Sequence, residues 1–317
     1  MTKQIIGIDL GGTSVKLAFI TDKGDIAEKW DIPTNIEDGG SHIVPDIIES
    51  IRGKMVDLGL SDSDFIGIGM GSPGKVDAEE GTVIGAYNLN WSEPQEIEKA
   101  FKESFSLPFY IGNDANVAAL GEQWKGAGQS SRDVVMFTIG TGVGGGIVTN
   151  GQLVTGFGGA AGEIGHLTVQ LEESYSCTCG KIGCLEAVAS ATGIVKLAQN
   201  TLATSEVSSV LRDIEELSSK EIFDAAKKGD GLATEIVDKF CQYLGLAVSH
   251  VANTLSPRFI VVGGGVSAAG EFLREKITKF AYDYTFPKIR TQTEIVLASL
   301  GNDAGVIGAA QLVNLNR

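Results

Sequence analysis

Ile5-Ile6-Gly7-Ile8-Asp9-Leu10-Gly11-Gly12-Thr13-Ser14-Val15-Lys16-Leu17-Ala18-Phe19-Ile20 is the stretch on which the fold turns. Two runs rich in strand-forming residues flank a Gly-Gly pair, so the segment reads strand, turn, strand. Paired glycines add little bulk and let backbone N–H groups face an anion such as phosphate. Thr13 can add a hydroxyl donor, and Asp9 is placed to hold a magnesium-bound water. The same residues also suit a plain hairpin with Asp9 as an ordinary turn acid, and the turn taken alone leaves both readings open. Working outward, residues 21–24 form a second turn and 26–32 a third strand. A helical pattern runs over 43–58. Residues 65–70 read as a buried strand ending in Gly71-Ser72-Pro73-Gly74. A helix is expected near 94–105, a short strand at 109–111 and a helix over 115–120.

A similar block then recurs. Residues 134–139 read as a strand, 140–146 as a glycine turn and 147–149 as a strand. Asn150-Gly151 signals a hairpin, and 152–155 a further strand. The expectation is two α/β domains, each opening with an antiparallel meander. Residues 1–114 with 302–317 would form the smaller and 115–301 the larger. Gly140-Thr141-Gly142-Val143-Gly144-Gly145 matches the dinucleotide pattern by letters, but a strand follows where that motif needs a helix. A second phosphate-facing hairpin fits better. Helical patterns fill much of 186–254. Residues 259–262 form a strand ending in Gly263-Gly264-Gly265, which is either a ligand-facing turn or an ordinary tight connection. Residues 302–314 form a helix that is apolar nearly all round, hence buried.

The chain has 317 residues, enough for about two domains. Its net charge of −15 repels phosphate backbones and anionic lipid, which argues against nucleic acid and membrane surfaces as partners. No apolar run approaches the ~20 residues of a membrane span, and the opening stretch to Asp9 does not read as a signal peptide. Four cysteines are too few for a disulfide scaffold, so a cytoplasmic location is expected.

Three of those cysteines, Cys177, Cys179 and Cys184, lie within eight positions, with His166 just upstream. Three thiolates and an imidazole make a closed four-coordinate zinc set, structural rather than catalytic; the alternative is three unliganded thiols. Cys241, in a helical pattern, reads as a small core residue. Asp114 sits where a helix begins, either as a reactive acid or as a helix cap. Glu163 and Glu186 flank the metal loop. Carboxylates there suit a polyhydroxylated ligand or, equally, a solvated surface. A histidine with one ring nitrogen on a metal carries its proton on the other and becomes a fixed donor. His42 and His250 read as structural or exposed.

Asp9-x-Gly11-Gly12-Thr13-x-x-Lys16, Asn113-Asp114, Glu163-x-Gly165-His166 and Cys177-x-Cys179-Gly180-x-x-Gly183-Cys184-x-Glu186 occur in that order. Together they resemble the ROK family of sugar kinases and repressors, nearly end to end. The stretch 85–91 and the ending 301–308 look like the glucose-phosphorylating members. The resemblance implies two ribonuclease-H-like (actin-like ATPase) α/β domains with an interdomain active-site cleft. It implies ATP-dependent phosphorylation of glucose at the 6-hydroxyl, with Asp114 as general base. Asn88, Asn113, Glu163, His166 and Glu186 would hold the sugar. Asp9, Gly11, Gly12, Thr13 and Lys16 would form the first phosphate loop, and Gly140, Thr141 and Gly142 the second. Gly263, Gly264 and Gly265 would lie near adenosine. Mg²⁺ would accompany ATP, structural Zn²⁺ would sit on His166, Cys177, Cys179 and Cys184, and the protein would be a homodimer or homotetramer. Another hexose such as N-acetylmannosamine, mannose or fructose, or a sugar sensor without catalysis, are the alternatives. A repressor would resemble this chain with a winged-helix domain ahead of it, and the first phosphate loop at Asp9 leaves no room for one.

Overall fold

β1 (Gln4–Leu10) and β2 (Ser14–Thr21) pair antiparallel across the Gly11-Gly12 turn, with Asp9 opposite Lys16 and Leu10 opposite Val15. This is a computed structural model, and it describes residues 3–171 and 175–317. Met1 and Thr2, part of the opening stretch read above, lie outside the described residues. β3 (Ile26–Pro33) extends the meander on β2. β4 (Phe65–Ser72) leads through a small hairpin, β5 (Lys75–Asp77) and β6 (Thr82–Ile84), towards β7 (Phe109–Asn113). β4 and β7 join on the other side of β1, parallel to it, so the sheet runs β3-β2-β1-β4-β7.

Helices cover both faces of this sheet, which is why β1 and β4 read as continuous apolar runs. On one face the helices Ile43–Asp57 and Ile97–Ser104 bury Ile47, Ile51 and Phe101 among Leu17, Phe19 and Phe65. On the other, the helix Ala304–Asn316 packs Val306, Ala310 and Val313 on Ile5, Ala18 and Ile20. The same helix also packs on Asp114–Trp124. Being enclosed between sheet and helix explains why its sequence is apolar on nearly every side. The approach is close enough to need glycine: a Cβ on Gly121 or Gly308 would overlap the backbone of Ala304 or Val117.

The second sheet runs β10-β9-β8-β11-β12, comprising β8 (Val134–Ile139), β9 (Val143–Thr149), β10 (Gln152–Leu153), β11 (Phe259–Gly263) and β12 (Glu294–Leu297). β8, β11 and β12 are parallel, while β9 and β10 form an antiparallel hairpin. The 25-residue helix Gly231–Leu255 buries Phe240, Cys241 and Leu244. Burial pushes the Cys241 thiol upward, in keeping with a core role.

Several features differ from the sequence reading, the β5–β6 hairpin and the shorter β10 among them. β9 begins at Val143, so the second glycine turn shrinks to 140–142; Val143 and Ile147 are strand-favouring enough to carry the intervening glycines. β12 and the helix Glu271–Tyr284 were not anticipated. The units also divide elsewhere: one comprises Met1–Arg132, Gly146–Ala161 and Leu300–Arg317, the other Asp133–Gly145 and Gly162–Ser299. Residues 115–132 stay with the first because Asp114–Trp124 is packed on Ala304–Asn316. Val148 stays with it too, sharing a cluster with Val117 and Leu120. Among the described residues no helix is long and apolar enough to cross a membrane.

Candidate active site

In the first unit, register gathers the acids at the C-terminal edge of the parallel strands. Asp9 pairs with Gly71, Gly71 with Gly112 and Ser72 with Asn113. That edge is where α/β sheets commonly bind ligands. Lys16 Nζ donates to Asp9 Oδ2 at 3.0 Å. A Cβ on Gly305 would land on the Asp9 carboxylate, so this acid lies at the first turn of Ala304–Asn316, where a helix favours an anion. Gly11 N–H donates to Ser14 O at 3.1 Å. Thr34 clamps the turn from β3's end: its hydroxyl donates to Gly11 O at 2.7 Å and its N–H to Thr13 O at 3.0 Å. Thr34 was missed, and no local signal marks it. Asn88, exposed, brings its Nδ2 to 3.0 Å from where a Gly12 Cβ would stand, so it leans on this turn.

The two readings of Asp114 are separated by its neighbour. Asn113, with extended backbone, is the cap: its Oδ1 accepts from Ala115 and Asn116 N–H at 3.1 and 3.4 Å. Asp114 is the first helical residue, and its Oδ1 accepts from Ala115 N–H at 2.8 Å. Burial raises the Asp114 carboxyl above its ordinary value; the Ala115 N–H opposes this, and the Asp9 charge adds to the rise. An acid shifted towards neutral pH is a stronger base when ionised.

In the second unit, the 140–142 turn closes with Gly140 N–H donating to Gly142 O at 2.9 Å. The remaining partners come from far along the chain. Ala191 N–H donates to Gly140 O at 2.8 Å, and Thr192 Oγ1 to Thr141 O at 2.9 Å. Val143 N–H donates to Glu186 Oε2 at 3.0 Å. Gly263 pairs with Thr138, and Gly264 takes φ +82°, a conformation suited to glycine. A Cβ there would stand 2.5 Å from Ile139 N. The second and third glycine turns are therefore neighbours.

His166, Cys177, Cys179 and Cys184 bring their donor atoms within 4.8 Å of one another. Cys179 Sγ lies 3.7 Å from Cys184 Sγ, and Cys177 Sγ 3.7 Å from His166 Nδ1. A tetrahedral zinc with ~2.3 Å sulfur bonds has sulfur–sulfur edges of roughly 3.8 Å, so the donor set and its spacing fit zinc. Burial and the flanking thiols push Cys184 up to about 12, whereas the Lys181 N–H lowers Cys179. His166 turns Nε2 to the carboxylate of Glu163 at 3.7 Å. Glu186 Oε1 lies 4.0 Å from Cys177 Sγ. Glu163 and Glu186 thus both lie against members of this cluster.

The ROK family pattern matches residues 5–315. A glucokinase from Halalkalibacterium halodurans is 44% identical over 97% of this chain and 94% of its own length. The ROK hexokinase of Thermus thermophilus superposes with a TM-score of 0.84 at 29% identity, covering 99% of this chain and 98% of that one. A ROK glucokinase from Streptomyces griseus, solved with glucose and AMPPNP, superposes with a TM-score of 0.77 at 32% identity, covering 98% and 99%. The two α/β units are those of the actin-like ATPase fold of these kinases. From motifs, fold and end-to-end similarity alike, the chain belongs to the ROK family.

Proposed function

We propose that this chain transfers the γ-phosphoryl group of ATP to the 6-hydroxyl of glucose. The observation that carries the reading is Asp114. It is held beside the Asp9 turn at the edge of the parallel strands, at the start of a helix capped by Asn113, with its carboxyl shifted upward. Similarity to the Halalkalibacterium glucokinase and to the Streptomyces enzyme with glucose and AMPPNP supports the same substrates.

Phosphoryl transfer depends mainly on positioning and charge stabilisation. A bond forms between sugar O6 and the γ-phosphorus as the β–γ bridge bond breaks, and the O6 proton passes to Asp114. Asn88, Asn113, Glu163, His166 and Glu186 hold the sugar hydroxyls. Asn113 Oδ1 is committed to its cap and Nδ2 donates one hydrogen to Gly74 O at 3.4 Å, which leaves the second Nδ2 hydrogen for a sugar hydroxyl. The turns at 11–13 and 140–142 offer N–H groups to the nucleotide phosphates, Lys16 adds a positive charge, and 263–265 lies near adenosine. Mg²⁺, with Asp9 near its waters, would neutralise developing phosphate charge; the Asp9 carboxylate is 18% exposed and within reach of solvent. Zn²⁺ on His166, Cys177, Cys179 and Cys184 would fix the loop and leave His166 Nε2 carrying its proton as a donor. Four cysteines, none in a disulfide and three of them placed for zinc, suit a reducing cytoplasm, and a homodimer or homotetramer is the assembly implied by the family.

The test is coupled ADP release with Mg-ATP across glucose, mannose, fructose, N-acetylglucosamine and N-acetylmannosamine, for wild type and Asp114→Asn. Fast glucose turnover lost in the variant is expected. Turnover confined to an N-acetylated sugar would move the substrate, and sugar binding without any turnover would leave a sensor.

A further inference from the structure

We infer that Glu186 is a positioning residue for the 140–142 turn: its carboxylate sets the conformation in which that turn meets nucleotide phosphates. The inference rests on the phosphoryl-transfer reading and adds a second task to a residue placed there on the sugar. Two observations carry it. Glu186 Oε2 accepts the Val143 N–H at 3.0 Å, immediately after the turn. The three atoms nearest to a Cβ built on Gly142 all belong to Glu186: Oε2, Cδ and Cγ. The carboxylate therefore lies along the turn, touching it at two successive residues.

Glu186 follows Cys184 and Leu185, both fully buried, in the short helix Leu185–Ala189, and its Oε1 lies 4.0 Å from Cys177 Sγ. A carboxylate has two oxygens and can serve the turn through one while the other meets a different donor. Gly142 has no left-handed φ, so a Cβ there meets the Glu186 carboxylate rather than backbone strain, and the carboxylate must shift to admit it.

The experiment titrates the full-length protein with Mg-AMPPNP in the absence of sugar, where a residue acting only on glucose has no influence. Glu186→Ala is expected to weaken nucleotide binding roughly tenfold, the scale of a lost charge-assisted hydrogen bond. Glu186→Gln keeps an acceptor for the Val143 N–H and should stay within about threefold of wild type. Gly142→Ala should weaken binding in the wild-type background and add nothing in the Glu186→Ala background, since the obstruction is gone. Hydrogen exchange at the Val143 amide should rise in Glu186→Ala while that at Gly11 stays unchanged. If Glu186→Ala does not fold, Gly142→Ala alone carries the same expectation, because it displaces the carboxylate with Glu186 present. Unchanged nucleotide affinity in Glu186→Ala with weakened glucose binding would overturn the inference and leave the kinase reading intact. Equal losses in Glu186→Gln and Glu186→Ala would also overturn it. Wild type failing to bind Mg-AMPPNP would sink the kinase reading, and this inference with it.

Discussion

The turns at 11–13 and 140–142 look alike in sequence and are held in different ways. The first is braced largely by its own hairpin: Asp9 and Lys16 face each other in register, and Gly11 N–H reaches Ser14 O. Thr34, just past the adjoining strand of the same meander, adds two hydrogen bonds, to Gly11 O and Thr13 O. The second closes with Gly140 N–H on Gly142 O and draws further partners from Glu186, Ala191 and Thr192, some fifty residues away. A glycine turn is soft, so what surrounds it decides its shape. The first turn thus depends on strand register, and the second on the folding of a distant loop that also carries the Cys/His cluster.

The largest effect expected concerns the edge beside the first turn. Asp114→Asn should lower turnover about 10²–10⁴-fold with glucose binding retained, measured by coupled ADP release and sugar titration. The raised Asp114 carboxyl also has a direction in pH. The base must be ionised, so the acid limb of kcat/KM should lie above the ordinary 3.8. Above that limb the buried charge costs stability, and the cost vanishes below the ordinary value. Asp114→Asn should therefore hold or raise Tm at neutral pH. A limb at 3.8 or lower would remove the base from this edge.

Removing metal from the cluster is the next largest perturbation, and it separates the turns. Wild type should contain one zinc per chain. Chelation should cost stability on the scale of ~4 kcal/mol at thousandfold saturation. Exchange at the Val143 amide should rise and that at Gly11 should not. Equal exchange increases at both amides would mean that the turns are not separately held.

Gly308→Ala probes the packing behind the first turn. Its Cβ would overlap the Val117 backbone, and overpacking of this kind costs about 1–3 kcal/mol, read from denaturant melts. The loss should be confined to the unit containing Ala304–Asn316. Thr34→Val should have the smallest effect. Losing one hydroxyl hydrogen bond costs about 0.5–1.5 kcal/mol and should raise the KM for ATP only a few-fold. A collapse in activity there would show the first turn to be as dependent on outside support as the second.

Much of the site was legible because its chemistry is local. The Asp9 turn, Asn113-Asp114 and the Cys177, Cys179 and Cys184 spacing each place reactive groups within a few residues. β1, β2 and β3 follow from period and turn signals alone. The cap at Asn113 was not separable from Asp114 in sequence, because both residue types suit either position. β12 was lost because a four-residue strand with mixed flanks carries too little pattern. The division into units was not legible at helix Asp114–Trp124, which follows a strand of the first sheet yet could begin either unit. Only its fit against Gly308 assigns it.

The sequence by itself determined the two glycine turns, the acid at 114, the cluster of metal-binding residue types and the family to which they belong. These are matters of residue type and short spacing. The tertiary structure alone decided which groups brace each turn, that Asn113 and not Asp114 caps the helix, and that Glu186 reaches Val143. Those contacts depend on directed bonds and close packing between segments far apart in the chain, and no local periodicity encodes which segments meet.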